Sequence, residues 1–151
     1  MNLTARQPLS AMLPGTWQLQ SRIDVSASGE RLPEPSLGED PSALLIYDRS
    51  GHFAAQFMRR DRSIEITDGP SGARNNSRAQ GGYDAYFGTY TIDDELGTVT
   101  QHVLGALSRE NVGTVLTRAM EIRGDTLVIR LETTAAGGTP VTRTLTWQRV
   151  G

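Results

Sequence analysis

A matched pair of ends most constrains this chain: Gly15-Thr16-Trp17 opens the patterned region, and Trp147-Gln148-Arg149 closes it. Between them run short segments in which apolar and polar residues alternate, broken by Gly, Asp and Asn. Such alternation gives each strand one buried face. The matched ends imply that the first strand meets the last, and a sheet closed on itself has no free edge. Arg149 is then expected across the indole of Trp17 as a structural cation–π lock, plugging one end of the barrel and leaving a ligand chamber at the other. The expected fold class is all-β, a mostly antiparallel closed barrel of about eight strands. A short N-terminal helical turn and a long lid-like loop complete it.

Leu9–Leu13 is expected to form the helical turn, ended by Pro14 and Gly15. Trp17, Leu19, Ser21, Ile23 and Val25 alternate with polar neighbours and share the inward face of the first strand. Ser26–Asp40, rich in Gly, Pro and Ser, reads as a connecting loop. Ala43–Asp48 and His52–Arg59 flank Arg49-Ser50-Gly51 as a hairpin whose inward parity is ambiguous. Arg60–Gly82 is the least regular stretch, either a surface excursion or a lid carrying a short helix near Ala79–Tyr86. Four more strands cover Tyr86–Ile92, Thr98–Leu104, Val112–Ile122 and Thr126–Thr133, before a last one with Val141, Arg143, Leu145, Trp147 and Arg149 on one face.

Composition removes several function classes. A chain of 151 residues fits one domain with a real core, taken here as residues 1–151. A net charge of −2 leaves no dominant basic face, against nucleic-acid partners. All 15 basic residues are arginine, as GC-rich coding bias produces, so Schiff-base chemistry within the chain is excluded. Without cysteine there is no disulfide and no thiolate site. No apolar run approaches the roughly 20 residues of a membrane span, and Met1–Met12 lacks a signal-peptide core. A soluble, cytoplasmic protein without a membrane partner is expected, its oligomeric state left open.

The chain resembles the small bacterial and fungal lipocalin-like domain family, a branch of the calycin barrels. The resemblance rests on Gly15-Thr16-Trp17, Leu45-Ile46-Tyr47, Gly51-His52 with Ala55-Gln56 and Arg59, and Ala85-Tyr86 with Gly88-Thr89-Tyr90. Gly97-Thr98-Val99-Thr100, Asn111-Val112-Gly113-Thr114, Arg118, Trp147 and Arg149 continue it along nearly the whole chain. It implies a barrel with an internal cavity but fixes no activity. Related barrels carry ligands, and some act as cyclases or isomerases in natural-product pathways. Where the family often shows a His-His pair, this chain has Gln101-His102, which puts any chemistry resting on the first histidine in doubt here. The resemblance also makes Gln56 a pocket residue, and Tyr47 joins the ligand-binding candidates.

Arg118 falls between Leu116 and Met120, and Arg143 between Val141 and Leu145, all on inward faces. A buried guanidinium is unfavourable unless paired, and the strands of clear parity offer no inward Asp or Glu. Both arginines therefore suit an anionic ligand group, a carboxylate, enolate or phenolate. Alternatively, one snorkels to the rim and the other pairs with Asp48 or a loop acid. Tyr86, Tyr90 and Gln101 share inward faces, where they orient a carbonyl or donate a proton; the tyrosines equally suit a barrel mouth with their hydroxyls in water. Alternation turns His102 outward and leaves His52 at a rim; two histidines without cysteine disfavour a zinc site, and a haem-binding barrel would need His52 as its inward ligand.

The expected function is binding of a mostly apolar small molecule that bears an acidic or enolate-like group. A cofactor-independent isomerase, cyclase or lyase of secondary metabolism is the leading form, with Arg118, Tyr90 and Gln101 as catalytic residues. Arg143, Tyr86, Gln56, Tyr47, Leu116 and Met120 bind the ligand in that reading. No metal and no cofactor is expected. A passive carrier uses the same chamber, whereas a purely structural barrel has a cavity filled by side chains.

Overall fold

The computed structural model describes residues 7–63, 79–135 and 137–151. Its elements are the helical turn α1 (Leu9–Met12) and nine strands: β1 (Gly15–Ser26), β2 (Arg31–Leu32), β3 (Ser42–Tyr47), β4 (His52–Met58), β5 (Tyr83–Asp93), β6 (Thr98–Ala106), β7 (Val115–Arg123), β8 (Thr126–Thr134) and β9 (Pro140–Arg149). Every pairing is antiparallel, and β1 joins both β3 and β9. Eight strands thus close into a barrel, and β2 is a ninth beside the end of β1. No helix among the described residues is long and apolar enough to cross a membrane.

The matched ends meet. Trp17 pairs with Arg149 across β1 and β9, and the guanidinium carbon lies 4.3 Å from the centre of the indole ring. Arg149 also donates to the Pro14 carbonyl at 3.1 Å and to the Met12 carbonyl. The Trp17 indole N–H donates to the Leu13 carbonyl at 2.9 Å. Gly15 is required for this arrangement: at its φ of 146°, a Cβ would fall 2.3 Å from an Arg149 nitrogen. The Gly-Thr-Trp signature is therefore the seat of the arginine that closes the barrel.

Three expectations change. Leu19 pairs with Trp147 but Ser21 pairs with Thr146, so Gln20 is one residue too many in β1. A bulge reverses the parity of everything beyond it. Ser21, Ile23 and Val25 turn partly outward, while Arg22 and Asp24 point inward, 4% and 3% exposed. Ala79–Tyr86 holds no helix: Gln80 bridges to Tyr83, where β5 begins. Val112 is exposed and precedes β7, which starts at Val115 after a 3-10 turn at Arg109–Asn111. Of the expected lid, residues 64–78 lie outside the described residues.

A second bulge lies on β6, where Leu104 is the extra residue between the pairs Phe87–Gly105 and Gly88–Val103. A Cβ on Gly88 would sit 1.8 Å from the His102 carbonyl oxygen. Because that atom is backbone, it cannot rotate away. Gly88→Ala is expected to destabilise the barrel by about 1–3 kcal/mol, the scale of overpacking, read as a lower urea midpoint at unchanged slope.

Candidate functional site

Inward faces of β3 through β9 enclose a chamber. Phe57, Tyr86 and Trp147 supply aromatic wall, and Leu45, Met120, Ile129, Leu131 and Leu145 supply aliphatic wall. Gln101 and Arg118 bring the polar side chains. Side chains fill the chamber so closely that water-sized room is about 20 Å³. That is space for about one water, so an occupant must displace flexible walls such as Met120 and Arg118. Its polar groups distinguish the chamber from an inert core.

Gln101, 3% exposed, donates from Nε2 to the Tyr47 hydroxyl at 2.6 Å. Its Oε1 and the Nε1 of Trp147, a residue 1% exposed, have no hydrogen-bond partner among the described residues. Turning the Gln101 amide over would exchange its two ends and still leave one polar atom for the chamber. Burial raises the pKa of both Tyr47 and Tyr86 above the ordinary phenol value, outweighing the Gln101 hydrogen bond and the Arg118 charge at Tyr47; at Tyr86 the charge of Asp84 adds to the rise against that of Arg118. Both phenols are therefore protonated at neutral pH and act as donors rather than bases. Arg118 is half-buried, lines the chamber, and donates from Nη1 to the Thr117 carbonyl at 3.3 Å.

Arg143 is not the counter-ion-free receptor expected. The bulge in β1 brings Asp24 opposite it on β9, and the guanidinium grips the carboxylate through Nε at 2.7 Å and Nη2 at 2.8 Å. This fork is the strong geometry for such a pair. Beside it, Arg22 donates to Glu34 at 3.1 Å. Burial, with the nearby charge of Arg143, pulls the Arg22 guanidinium down to about 10, still charged at neutral pH.

Glu34 also organises its own loop, accepting from the Ser36 hydroxyl and from the backbone N–H of Leu37 at 2.9 Å. Leu37 is 1% exposed and joins the core. The stretch expected to be a plain connection is thus a strap fastened to the barrel wall. Burial pushes the Glu34 carboxyl up, but Arg22 and the hydrogen bonds of Ser36 and Leu37 outweigh it, leaving its pKa depressed. A depressed carboxyl contributes stability that is present above the unfolded value, about 4.3, and lost as pH falls through the folded value. Amide exchange at Ser36 and Leu37, corrected for intrinsic rates, is expected to quicken selectively below that range in wild type and to be quick already at neutral pH in Glu34→Gln.

The remaining candidates scatter. Tyr90 is buried, but its hydroxyl donates to the Asp48 carbonyl at 2.5 Å and lies apart from the chamber lining. Its ring packs edge-on against Tyr47, with centroids 4.8 Å apart. Leu116 faces inward beyond the lining, 3% exposed. Gln56 does not line the chamber: β4 turns Phe53, Ala55 and Phe57 inward, leaving Gln56 on the outer wall, where it accepts from the Tyr83 hydroxyl. His102 and His52 are both exposed, and His52 Nδ1 lies 2.8 Å from the Ser50 hydroxyl. Trp147 and Phe57 are the aromatic lining residues that sequence reading passed over, beside the aliphatic Leu45, Ile129, Leu131 and Leu145. Trp147 carried a signal, an indole on an inward face two residues before Arg149, whereas Phe57 had none because its strand's parity was undecided.

Comparison with known proteins places this geometry. No curated protein matches the sequence. The crystal structure of Rv2717c from M. tuberculosis is similar at 14% identity and a TM-score of 0.41, covering 95% of this chain and 98% of that one. A family model described as a lipocalin-like domain matches residues 14–150. A barrel of this kind suggests small-molecule binding. With nearly every residue of the barrel inside that match, the chain belongs to the lipocalin-like domain family.

Proposed function

We propose that the barrel binds a small, mostly apolar molecule with a carboxylate or enolate-like oxygen, held by Arg118 in the chamber. The observation that carries this reading is a guanidinium on the lining of a chamber whose other walls, Gln101 apart, are aromatic and aliphatic side chains. Inside a low-dielectric wall, one cation attracts an oxyanion far more strongly than it would in water. Gln101 and the Trp147 N–H offer the occupant hydrogen bonds, and the tight space favours a compact one. A cytoplasmic location and a single domain over residues 1–151 go with this reading.

Catalysis is a second reading, favoured by the Tyr86 phenol that burial keeps protonated in the same chamber as Arg118. A cation that stabilises enolate charge, a phenol that returns a proton and an amide that orients a carbonyl suit a cofactor-independent isomerase, cyclase or lyase of secondary metabolism. A passive carrier needs only the binding. Calorimetric titration with small carboxylic acids and their methyl esters tests the binding claim: acids are expected to bind and esters to bind much more weakly. Equal affinities would contradict it. Metabolite profiling of a deletion strain separates the two forms, since product structures altered by the deletion indicate catalysis and altered export alone indicates a carrier.

A further inference from the structure

We infer that the occupant is an aromatic carboxylic acid of about one ring that carries a second oxygen, a hydroxyl or carbonyl, away from its acid group. This rests on the acid-binding reading above and adds the shape and the second polar group. Three rings form one continuous wall. Phe57 meets Trp147 edge-on, centroids 5.7 Å apart at 72°, and stacks with Tyr86 at 6.3 Å and 19°. Flat rings pack against such faces and edges better than puckered ones do. The narrow space selects in the same direction, because a planar ring needs the walls to part least.

The second oxygen follows from where the polar groups stand. Ala119 on β7 pairs with Arg130 on β8, which sets the neighbouring Arg118 beside position 131. Trp147 on β9 pairs with Leu127. Arg118 and Trp147 therefore stand four residues apart in register along β8. One carboxylate on Arg118 does not also serve Trp147. Yet Trp147 Nε1 is buried without a partner among the described residues, as is one polar atom of Gln101. A buried donor left unmade is unfavourable. An acceptor at the far edge of the ring satisfies it.

The test is calorimetric titration of the full chain with benzoate, 3- and 4-hydroxybenzoate, cyclohexanecarboxylate and benzyl alcohol. Benzoate is expected to bind about threefold or more tightly than cyclohexanecarboxylate, the scale of an aromatic contact. One hydroxybenzoate is expected to bind up to about tenfold more tightly than benzoate, the scale of one hydrogen bond. Trp147→Phe keeps a ring and removes the N–H, so it is expected to erase the hydroxyl preference while retaining benzoate binding. Cyclohexanecarboxylate matching benzoate, no hydroxyl preference in wild type, or a preference that survives Trp147→Phe would each overturn the inference. The wild-type ranking decides by itself should that variant not fold. Benzyl alcohol binding as tightly as benzoate would instead refute the acid-binding reading, and binding by none of the probes would overturn both.

Discussion

Arg143→Met is expected to lower the stability of the barrel by about 3–5 kcal/mol, the scale of removing one partner from a buried ion pair. The side chains of Arg143 and Asp24 are 1% and 2% exposed, and they meet through two short hydrogen bonds. Taking away the guanidinium leaves a carboxylate inside the wall with neither its partner nor bulk water. The double variant Asp24→Leu/Arg143→Met removes both charges and is expected to recover most of the loss, because a buried pair is often replaceable by apolar side chains of similar volume. Urea unfolding of both variants checks this. A loss below about 1 kcal/mol for the single variant would mean that the pair behaves like a surface contact.

Arg118→Leu is expected to act on affinity. It should weaken binding of a small carboxylic acid by about 2–5 kcal/mol, the scale of truncating a desolvated charge pair, or roughly 30-fold to several thousand-fold. Urea unfolding of the same variant reads what Arg118 contributes to the barrel itself. Arg143 and Arg118 thus separate by readout: one variant loses stability, the other affinity. A large fall in stability on Arg118→Leu with unchanged affinity for acids would assign Arg118 to the scaffold.

These two arginines show how far the sequence carries. Both were legible as inward residues, because β7 and β9 alternate without interruption from Leu116 and from Val141. Their different roles were not legible. Gln20 inserts into β1 only because Ser21 pairs with Thr146, a decision made between strands more than a hundred residues apart. Local alternation at Ile23 and Val25 pointed to the other face. The unmet charge of Arg143 was itself a signal for a hidden acid, but nothing local named Asp24. Gln56 failed for a related reason: Ala54, Ala55 and Phe57 leave β4 readable in either register until β3 and β5 pair with it. The closed end was fully legible, since Gly15, Trp17 and Arg149 each have a steric or electrostatic reason visible in residue type.

The most direct test of an occupied chamber uses the two indole N–H groups, which give two resolvable nitrogen–proton signals in a chain with only two tryptophans. Trp17 Nε1 is already bonded to the Leu13 carbonyl at the closed end. Trp147 Nε1 lines the chamber without a partner among the described residues. On titration with hydroxybenzoate, the Trp147 signal is expected to move downfield and saturate while the Trp17 signal stays in place. A Trp147 signal that never moves, or a saturating shift confined to Trp17, would contradict ligand binding in the chamber.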